Sequence, residues 1–149
     1  MKILGIYGKE QKMSTIIRNE ISKNNEYWIE KERYLELKHF CMQYSRWKES
    51  YEELSKSFPY LKDSEIKGTD ISDTTSKIAM LMLNYSDKIS LLENIAKETD
   101  EEINNYILKA VTNNIPYVTL QMMYGIPCSR DTFYKRYRKF FWILDKRRN

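Results

Sequence analysis

The sequence predicts an all-α protein, a helical bundle, from two observations on composition and one on spacing. Glycine and proline, which interrupt helices, number only four and three among 149 residues. Valine is nearly absent, whereas leucine, isoleucine, methionine, lysine and glutamate are abundant, a balance that favours helix over sheet. Apolar residues also recur at spacings of three and four, which places them on one face of each helix.

The N-terminal region, residues 1–58, is predicted to be helical from about Glu26. Its apolar face consists of Tyr34, Leu37, Cys41, Tyr44, Trp47, Tyr51 and Leu54. A kink is an option at Ser45, where a second helix can start. Pro59 is expected to end the pattern, because proline lacks an N–H and its ring fixes φ. Residues 1–24 fit either a short strand or a flexible lead-in, followed by a helical turn or two.

Residues 59–72 are the predicted linker, since they combine Pro, Gly, Ser and Asp without a sustained period. A helical domain, residues 73–149, is expected to follow. Its first helix, from about Asp73 to Lys97, has an apolar seam at Ile78, Met82, Tyr85, Ile89, Leu92 and Ala96. Met80, Leu81 and Leu83 extend beyond this seam, so the helix either lies centrally in the core or packs against a second subunit.

The remaining helices are predicted from their end signals. Thr99 and Glu102 have the spacing of a capping box, and the helix that they open runs to about Asn113. Asn113 and Asn114 end that helix, because asparagine tolerates left-handed geometry. Pro116 is expected in the first turn of a short helix over 117–124, which ends at Gly125.

The last helix is predicted to begin at Ser129, whose hydroxyl can cap it, with Asp131 in the positive first turn. Its buried stripe is expected to be Phe133, Tyr137, Phe140, Phe141 and Leu144. Residues 130–149 hold eight basic and two acidic side chains, a net charge of +6. Because the whole chain carries +4, the other residues carry −2, and the basic character belongs to this last helix. Such a concentrated positive field attracts polyanions.

A short helix, a glycine-containing turn and a basic final helix predict a C-terminal helix-turn-helix module, whose last helix enters the major groove of DNA. Arg130 and Lys135 have the chemistry that reads guanine, whereas Thr132 and Tyr134 suit a phosphate or a thymine methyl. The turn IPCS must be longer than in the compact form of the motif, since the apolar residues of the last helix arrive about two positions late. The predicted DNA-binding residues are Ser129, Arg130, Thr132, Tyr134, Lys135, Arg138, Lys139, Lys146, Arg147 and Arg148.

The stretch ILKAVTNNIPYVTLQMMYGIPCSRDTFYKRYRKFFWILDKRR resembles the C-terminal part of small proteins encoded in phages and prophages of Gram-positive bacteria. The likeness is to late-gene transcription activators of the ArpU and RinA type, whose C-terminal module resembles region 4 of sigma factors. It covers roughly residues 76–148 and is clearest at IPCSRDTFYKRYRKFF. The resemblance implies that Ser129–Lys139 corresponds to the recognition helix of a transcriptional regulator.

Catalysis is not expected from this sequence. His39 is the single histidine, no glycine-rich phosphate loop occurs, and no Ser–His–Asp or Cys–His pairing can be proposed. Cys41 and Cys128 have no metal-ligand spacing and suggest two thiols in a reducing cytoplasm, so we predict no catalytic residue, metal or cofactor. No run of about 18 apolar residues is present, so no membrane-spanning helix is expected.

The favoured function is therefore sequence-specific binding of double-stranded DNA by a cytoplasmic phage or prophage regulator. A homodimer is expected, because one small module gives limited affinity and paired half-sites multiply it. The alternative is an adaptor or inhibitor that binds a host protein, such as RNA polymerase or a defence complex, through aromatic side chains. Those aromatics are concentrated in the N-terminal half, at Tyr27, Trp28, Tyr34, Tyr44, Trp47, Tyr51 and Tyr60.

Overall fold

The regular structure of the chain is helical. A computed structural model describes the backbone of residues 23–64 and 69–148, and the side chains of residues 23–58 and 73–148. Within these ranges the elements are α1 (Lys31–Cys41), α2 (Tyr44–Ser64), α3 (Thr69–Thr99), α4 (Asn104–Asn113), α5 (Tyr117–Tyr124) and α6 (Arg130–Arg147). The predicted all-α class is confirmed. The strand or lead-in predicted at the N-terminus lies outside the described residues.

The helix predicted from about Glu26 begins only at Lys31 and is divided in two. It ends at Cys41, and the next helix begins at Tyr44, one residue before the expected kink. The prediction that Pro59 ends this helix is wrong, since α2 continues to Ser64. Proline in a helix interior costs about 3 kcal/mol, but helix packing routinely overrides such local preferences, and α2 packs along α3.

The predicted linker is helical over most of its length. Residues 59–64 belong to α2 and residues 69–72 to α3, so the prediction of irregular structure is wrong for both stretches. Residues 65–68 lie outside the described ones. Because only these four residues separate α2 from α3, and the two helices pack together, they form a helical hairpin.

The capping box predicted at Thr99 is also wrong. Thr99 is the last residue of α3, and its buried hydroxyl donates a hydrogen bond of 2.7 Å to the carbonyl oxygen of Ile95. Asp100 instead closes the turn before α4, because its Oδ1 accepts hydrogen bonds from the backbone N–H groups of Glu102 (2.8 Å) and Ile103 (3.0 Å). An ionised carboxylate is the stronger acceptor for such donors, and α4 itself begins only at Asn104.

The hydrophobic core surrounds α6, which packs against α1, α3, α4 and α5. Four residues of the predicted stripe of α6 are buried, namely Phe133, Phe140, Phe141 and Leu144, whereas Tyr137 is half-buried. The surrounding helices contribute Tyr34, Leu37 and Cys41 from α1, Leu92, Ile95 and Ala96 from α3, and Ile107, Ala110 and Val111 from α4. Side chains from both sides of the predicted linker thus share one core.

Polar contacts also join α1 to α6. Arg33 Nε donates a hydrogen bond of 2.6 Å to Asp145 Oδ1, and this bond raises the pKa of Arg33. The hydroxyls of Tyr34 and Tyr137 share a hydrogen bond of 2.6 Å. Both contacts fix the rotation of α6 about its axis and thereby decide which of its basic residues face outward.

Candidate nucleic-acid interface

A five-residue connection over 125–129 links α5 to α6. Gly125 ends α5 in the left-handed conformation, with φ of 61°, as its sequence position predicted. The hydroxyl of Tyr117, at the start of α5, donates a hydrogen bond of 2.5 Å to the carbonyl oxygen of Cys128. The ring of Tyr117 stacks on that of Phe133, with 5.7 Å between the ring centroids. These contacts hold α5 against the N-terminal half of α6.

We expect Gly125→Ala to destabilise the protein by about 1 kcal/mol, because an L-residue is strained at positive φ. A Cβ at this position would meet nothing within 4 Å, so the cost is conformational rather than steric. Gly125→Asn is the matched control, since asparagine tolerates this conformation better. Urea unfolding measures both variants, and an alanine variant as stable as the wild type would contradict the left-handed turn.

Ser129 caps the N-terminus of α6 as predicted. Its Oγ accepts a hydrogen bond of 3.3 Å from the backbone N–H of Thr132, and its φ and ψ of −73° and 161° are those of an extended residue. Asp131 lies in the first turn and is exposed. The positive end of the helix dipole is therefore at the protein surface, where backbone N–H groups and side chains of the first turn can meet an anion.

The ten predicted DNA-binding residues fall into two groups by exposure. The exposed ones are Ser129, Arg130, Thr132, Lys135, Lys146, Arg147 and Arg148. The half-buried ones are Tyr134, Arg138 and Lys139. Tyr134 faces inward more than predicted, since its hydroxyl accepts a hydrogen bond of 3.3 Å from the backbone N–H of Tyr117.

Near the C-terminus of α6, the basic cluster of Lys146, Arg147 and Arg148 is engaged within the protein. Arg147 forms an ion pair of 2.5 Å with Glu98. The guanidinium of Arg148 lies 3.8 Å from the ring centroid of Phe40, and Lys146 Nζ lies 3.3 Å from that of Trp142. The three positive charges still add to the electrostatic field around α6, but the positions of these side chains are set by their contacts within the protein.

Arg136 and Asp100 form a pair that the sequence did not reveal. Arg136 Nε donates a hydrogen bond of 3.0 Å to Asp100 Oδ2, while Oδ1 of the same carboxylate caps the turn before α4. Burial by itself would raise the pKa of Asp100. The carboxylate also accepts hydrogen bonds from the backbone of Ile103 and Glu102 and from Arg136, and these outweigh burial, so the pKa is lowered. Asp100 therefore couples the position of α6 to the start of α4.

The basic face of α6 is defined by Arg130, Lys135, Arg138 and Lys139, which differ from Arg136 and Arg147 of the same helix. None of these four residues forms an ion pair within 4.0 Å in the described part of the chain. Arg130 lies over the ring of Tyr134, 5.8 Å from its centroid. Four positive charges along consecutive turns, without acidic partners, are suited to a polyanion.

The apolar surface next to this face belongs to α5. Val118, Met122, Met123 and Tyr124 are exposed, and α5 carries no charged residue. The aromatics proposed as an N-terminal protein-binding surface are placed differently. Among the described ones Tyr34 and Trp47 are buried, and Tyr27, Trp28, Tyr44 and Tyr51 are half-buried. Tyr60 lies outside the described side chains.

Neither a metal-ligand cluster nor a membrane-spanning helix is found in the part of the chain that the structure describes. No three or more His, Cys, Asp or Glu side chains lie close enough together to hold a metal ion. None of the described helices has the length and apolar character needed to cross a membrane. Comparison of the chain with protein-family models, with curated proteins and with solved structures found no match. The likeness to phage late-gene activators stays a prediction based on the residues quoted for it.

Proposed function

We propose that the protein binds double-stranded DNA in a sequence-specific way, with α5, the 125–129 turn and α6 acting as a helix-turn-helix. The observation that carries the proposal is the basic face of α6, whose four cations have no acidic partner among the described residues. The exposed first turn of α6 supports it, since base contacts in such motifs come from the N-terminal part of the recognition helix.

The two ends of α6 take different roles in this proposal. Arg130, Thr132 and Lys135 are exposed near the N-terminus and reach base edges in the major groove. Lys139 is half-buried one turn further on and contacts a phosphate. The cluster at 146–148, held by other parts of the protein, supplies long-range attraction.

A homodimeric phage or prophage transcriptional regulator is the biological form that we propose. Met80, Leu81 and Leu83 are exposed on α3 and offer apolar surface for a second subunit. Two recognition helices related by a two-fold axis would read two half-sites about one helical turn apart.

The experiment that tests the proposal is selection of binding sites from randomised duplex DNA at low and at physiological salt. An inverted repeat that is recovered at both salt concentrations is the expected result. Enrichment that vanishes at physiological salt without yielding a motif would contradict sequence-specific reading and would leave only non-specific attraction by charge.

We expect Arg130→Ala to lose sequence discrimination of about 1–3 kcal/mol, because a bidentate contact to guanine is lost. Lys139→Ala is expected to weaken binding to all sequences alike and to lower the salt slope by about one. Fluorescence anisotropy with the selected duplex and a scrambled duplex separates the two effects. Lys77→Ala, an exposed substitution on α3, is the control. Equal losses on both duplexes for Arg130→Ala would contradict its role as a base reader.

An adaptor that binds a host protein is the second candidate, and the exposed apolar side chains of α5 favour it. Val118, Met122 and Met123 form a patch of the kind that protein interfaces use. Substitution of Met122 and Met123 by glutamine would leave duplex binding unchanged if DNA alone is the partner. Loss of co-purification with host RNA polymerase by this double variant, together with no selected DNA motif, would favour the adaptor.

A further inference from the structure

A depression beside α6 is formed in part by a segment where the sequence predicts the start of a helix, at about Glu26, but where the structure has a turn. Residues of the turn over 23–27 and of α6 line an open depression of about 380 Å³. The residues that line it are Asn24, Asn25, Glu26, Tyr27, Lys135 and Arg138. The cavity therefore adjoins the basic face of α6 and includes two of its four cations.

Two hydrogen bonds within the turn and one aromatic contact with α6 stabilise the position of the turn. The side-chain oxygen of Asn25 accepts a hydrogen bond of 2.8 Å from the backbone N–H of Tyr27, and the N–H of Trp28 donates one of 3.1 Å to the carbonyl oxygen of Asn25. The ring of Tyr27 packs edge-on against that of Trp142 on α6, with 5.5 Å between centroids. Asn24, which directly precedes these contacts, lines the depression together with Lys135 and Arg138.

The electrostatics of the cavity favour an anion. Lys135 and Arg138 bring two positive charges and Glu26 one negative charge, so the lining has a net positive charge. The Nε–H of Arg138 is buried, and no acceptor for it is present among the described residues. The fork of an arginine guanidinium fits the oxygens of a phosphate.

We propose that this notch, formed by Asn24, Tyr27, Lys135 and Arg138, binds a phosphate group of the DNA backbone. The inference rests on the proposed function, which places the basic face of α6 against a duplex. The guanidinium of Arg138 donates to the phosphate oxygens, the charge of Lys135 at the edge of the notch adds attraction, and the Asn24 amide donates from the opposite wall. The turn before α1 is thus a second wall of the interface, and it fixes the angle at which α6 enters the groove.

The test uses the full chain, ¹⁵N-labelled at arginine, with NMR detection of the Arg138 Nε–H resonance. Titration with a selected duplex, with a random duplex and with inorganic phosphate alone is expected to shift this resonance in each case. Arg138→Gln should lower affinity about tenfold on both duplexes and reduce the salt slope by about one. Asn24→Ala, in an exposed turn, should lower affinity two- to threefold without a change in melting temperature.

Lys77→Gln, which removes an exposed charge from α3, is the control and should change neither affinity nor slope beyond error. Two results together would overturn the notch and leave the proposed function intact. In the first, Arg138→Gln binds the duplex with the same salt slope as the wild type. In the second, the duplex does not shift the Arg138 Nε–H resonance of the wild type. If no duplex binds the wild type, the proposed function fails. The titration with inorganic phosphate then tests the notch by itself. A shift of the Arg138 Nε–H resonance supports an anion site there, and an unmoved resonance overturns it.

Discussion

Replacement of Phe133 by alanine is expected to lower the free energy of unfolding by about 3–5 kcal/mol, as for other large aromatic side chains in cores. The side chain is fully buried, and its ring contacts those of Tyr117, Tyr134 and Tyr137 at centroid distances of 5.7, 5.0 and 6.0 Å. Alanine would leave a cavity between α5 and α6. Since domains are stable by only about 5–15 kcal/mol, this single change removes a large part of the total.

Urea unfolding followed by circular dichroism measures this loss. Met122→Ala on α5 is the control, because Met122 is 81% exposed and its removal should alter stability by no more than about 0.5 kcal/mol. A loss below about 1 kcal/mol for Phe133→Ala would mean that α5 does not pack on α6 as described. Under the proposed function, DNA binding by the Phe133→Ala variant should fall in proportion to its folded fraction, because the substitution removes no charge.

Asp100→Ala is expected to destabilise the protein by about 2 kcal/mol, because two functions of one carboxylate are lost. The cap before α4 contributes about 1 kcal/mol, and the partly exposed pair with Arg136 contributes up to about 1 kcal/mol. The side chains of Arg136 and Asp100 are only 33% and 19% exposed, which places the pair at the upper end of the range for surface ion pairs. Asp100→Asn should lose only the second part, because the asparagine oxygen still caps.

The pH dependence of this effect follows from the lowered pKa of Asp100. Its stabilising contribution is fully present above the unfolded-state pKa of about 3.9 and is lost as the pH falls through the lower folded-state value. The stability difference between wild type and Asp100→Asn should therefore be constant from pH 7 to 5 and shrink below about pH 4. Urea unfolding at pH 7, 5 and 3 measures it, with Glu101→Gln as the exposed control. A difference at pH 3 as large as that at pH 7 would argue against the ion pair.

The sequence was most informative where a backbone requirement selects one residue type. Gly125 and Asn114 occupy left-handed positions at the ends of α5 and α4, and Ser129 caps α6, each as predicted. The buried stripe of α6 followed from its spacing for the same reason, since a helix of fixed period buries one face. Local signals of this kind do not depend on the rest of the chain.

Predictions failed where distant residues decide the outcome. Pro59 signalled a helix end, yet the packing of α2 on α3 carries the helix past it. Thr99 had the spacing of a helix cap, but the side chain that binds the free N–H groups there is that of Asp100. Asp100 is in turn paired with Arg136, which lies 36 positions later. The sequence likewise shows how many basic residues α6 carries, but not which of them are paired. Arg147 forms an ion pair with Glu98, whereas Arg130 forms none among the described residues. Ion pairs across the core cannot be found by spacing alone.

The central position of α6 has a consequence for how the protein acquires its structure. The hydrogen bond between Arg33 and Asp145 joins residues 112 positions apart, and the helix that carries Asp145 is the one on which α1, α3, α4 and α5 rest. During synthesis the α2–α3 hairpin can form early from contacts that are close in sequence, but the core stays open until α6 leaves the ribosome. A nascent chain that lacks α6 presents the apolar faces of four helices to solvent, where chaperones and proteases compete for them.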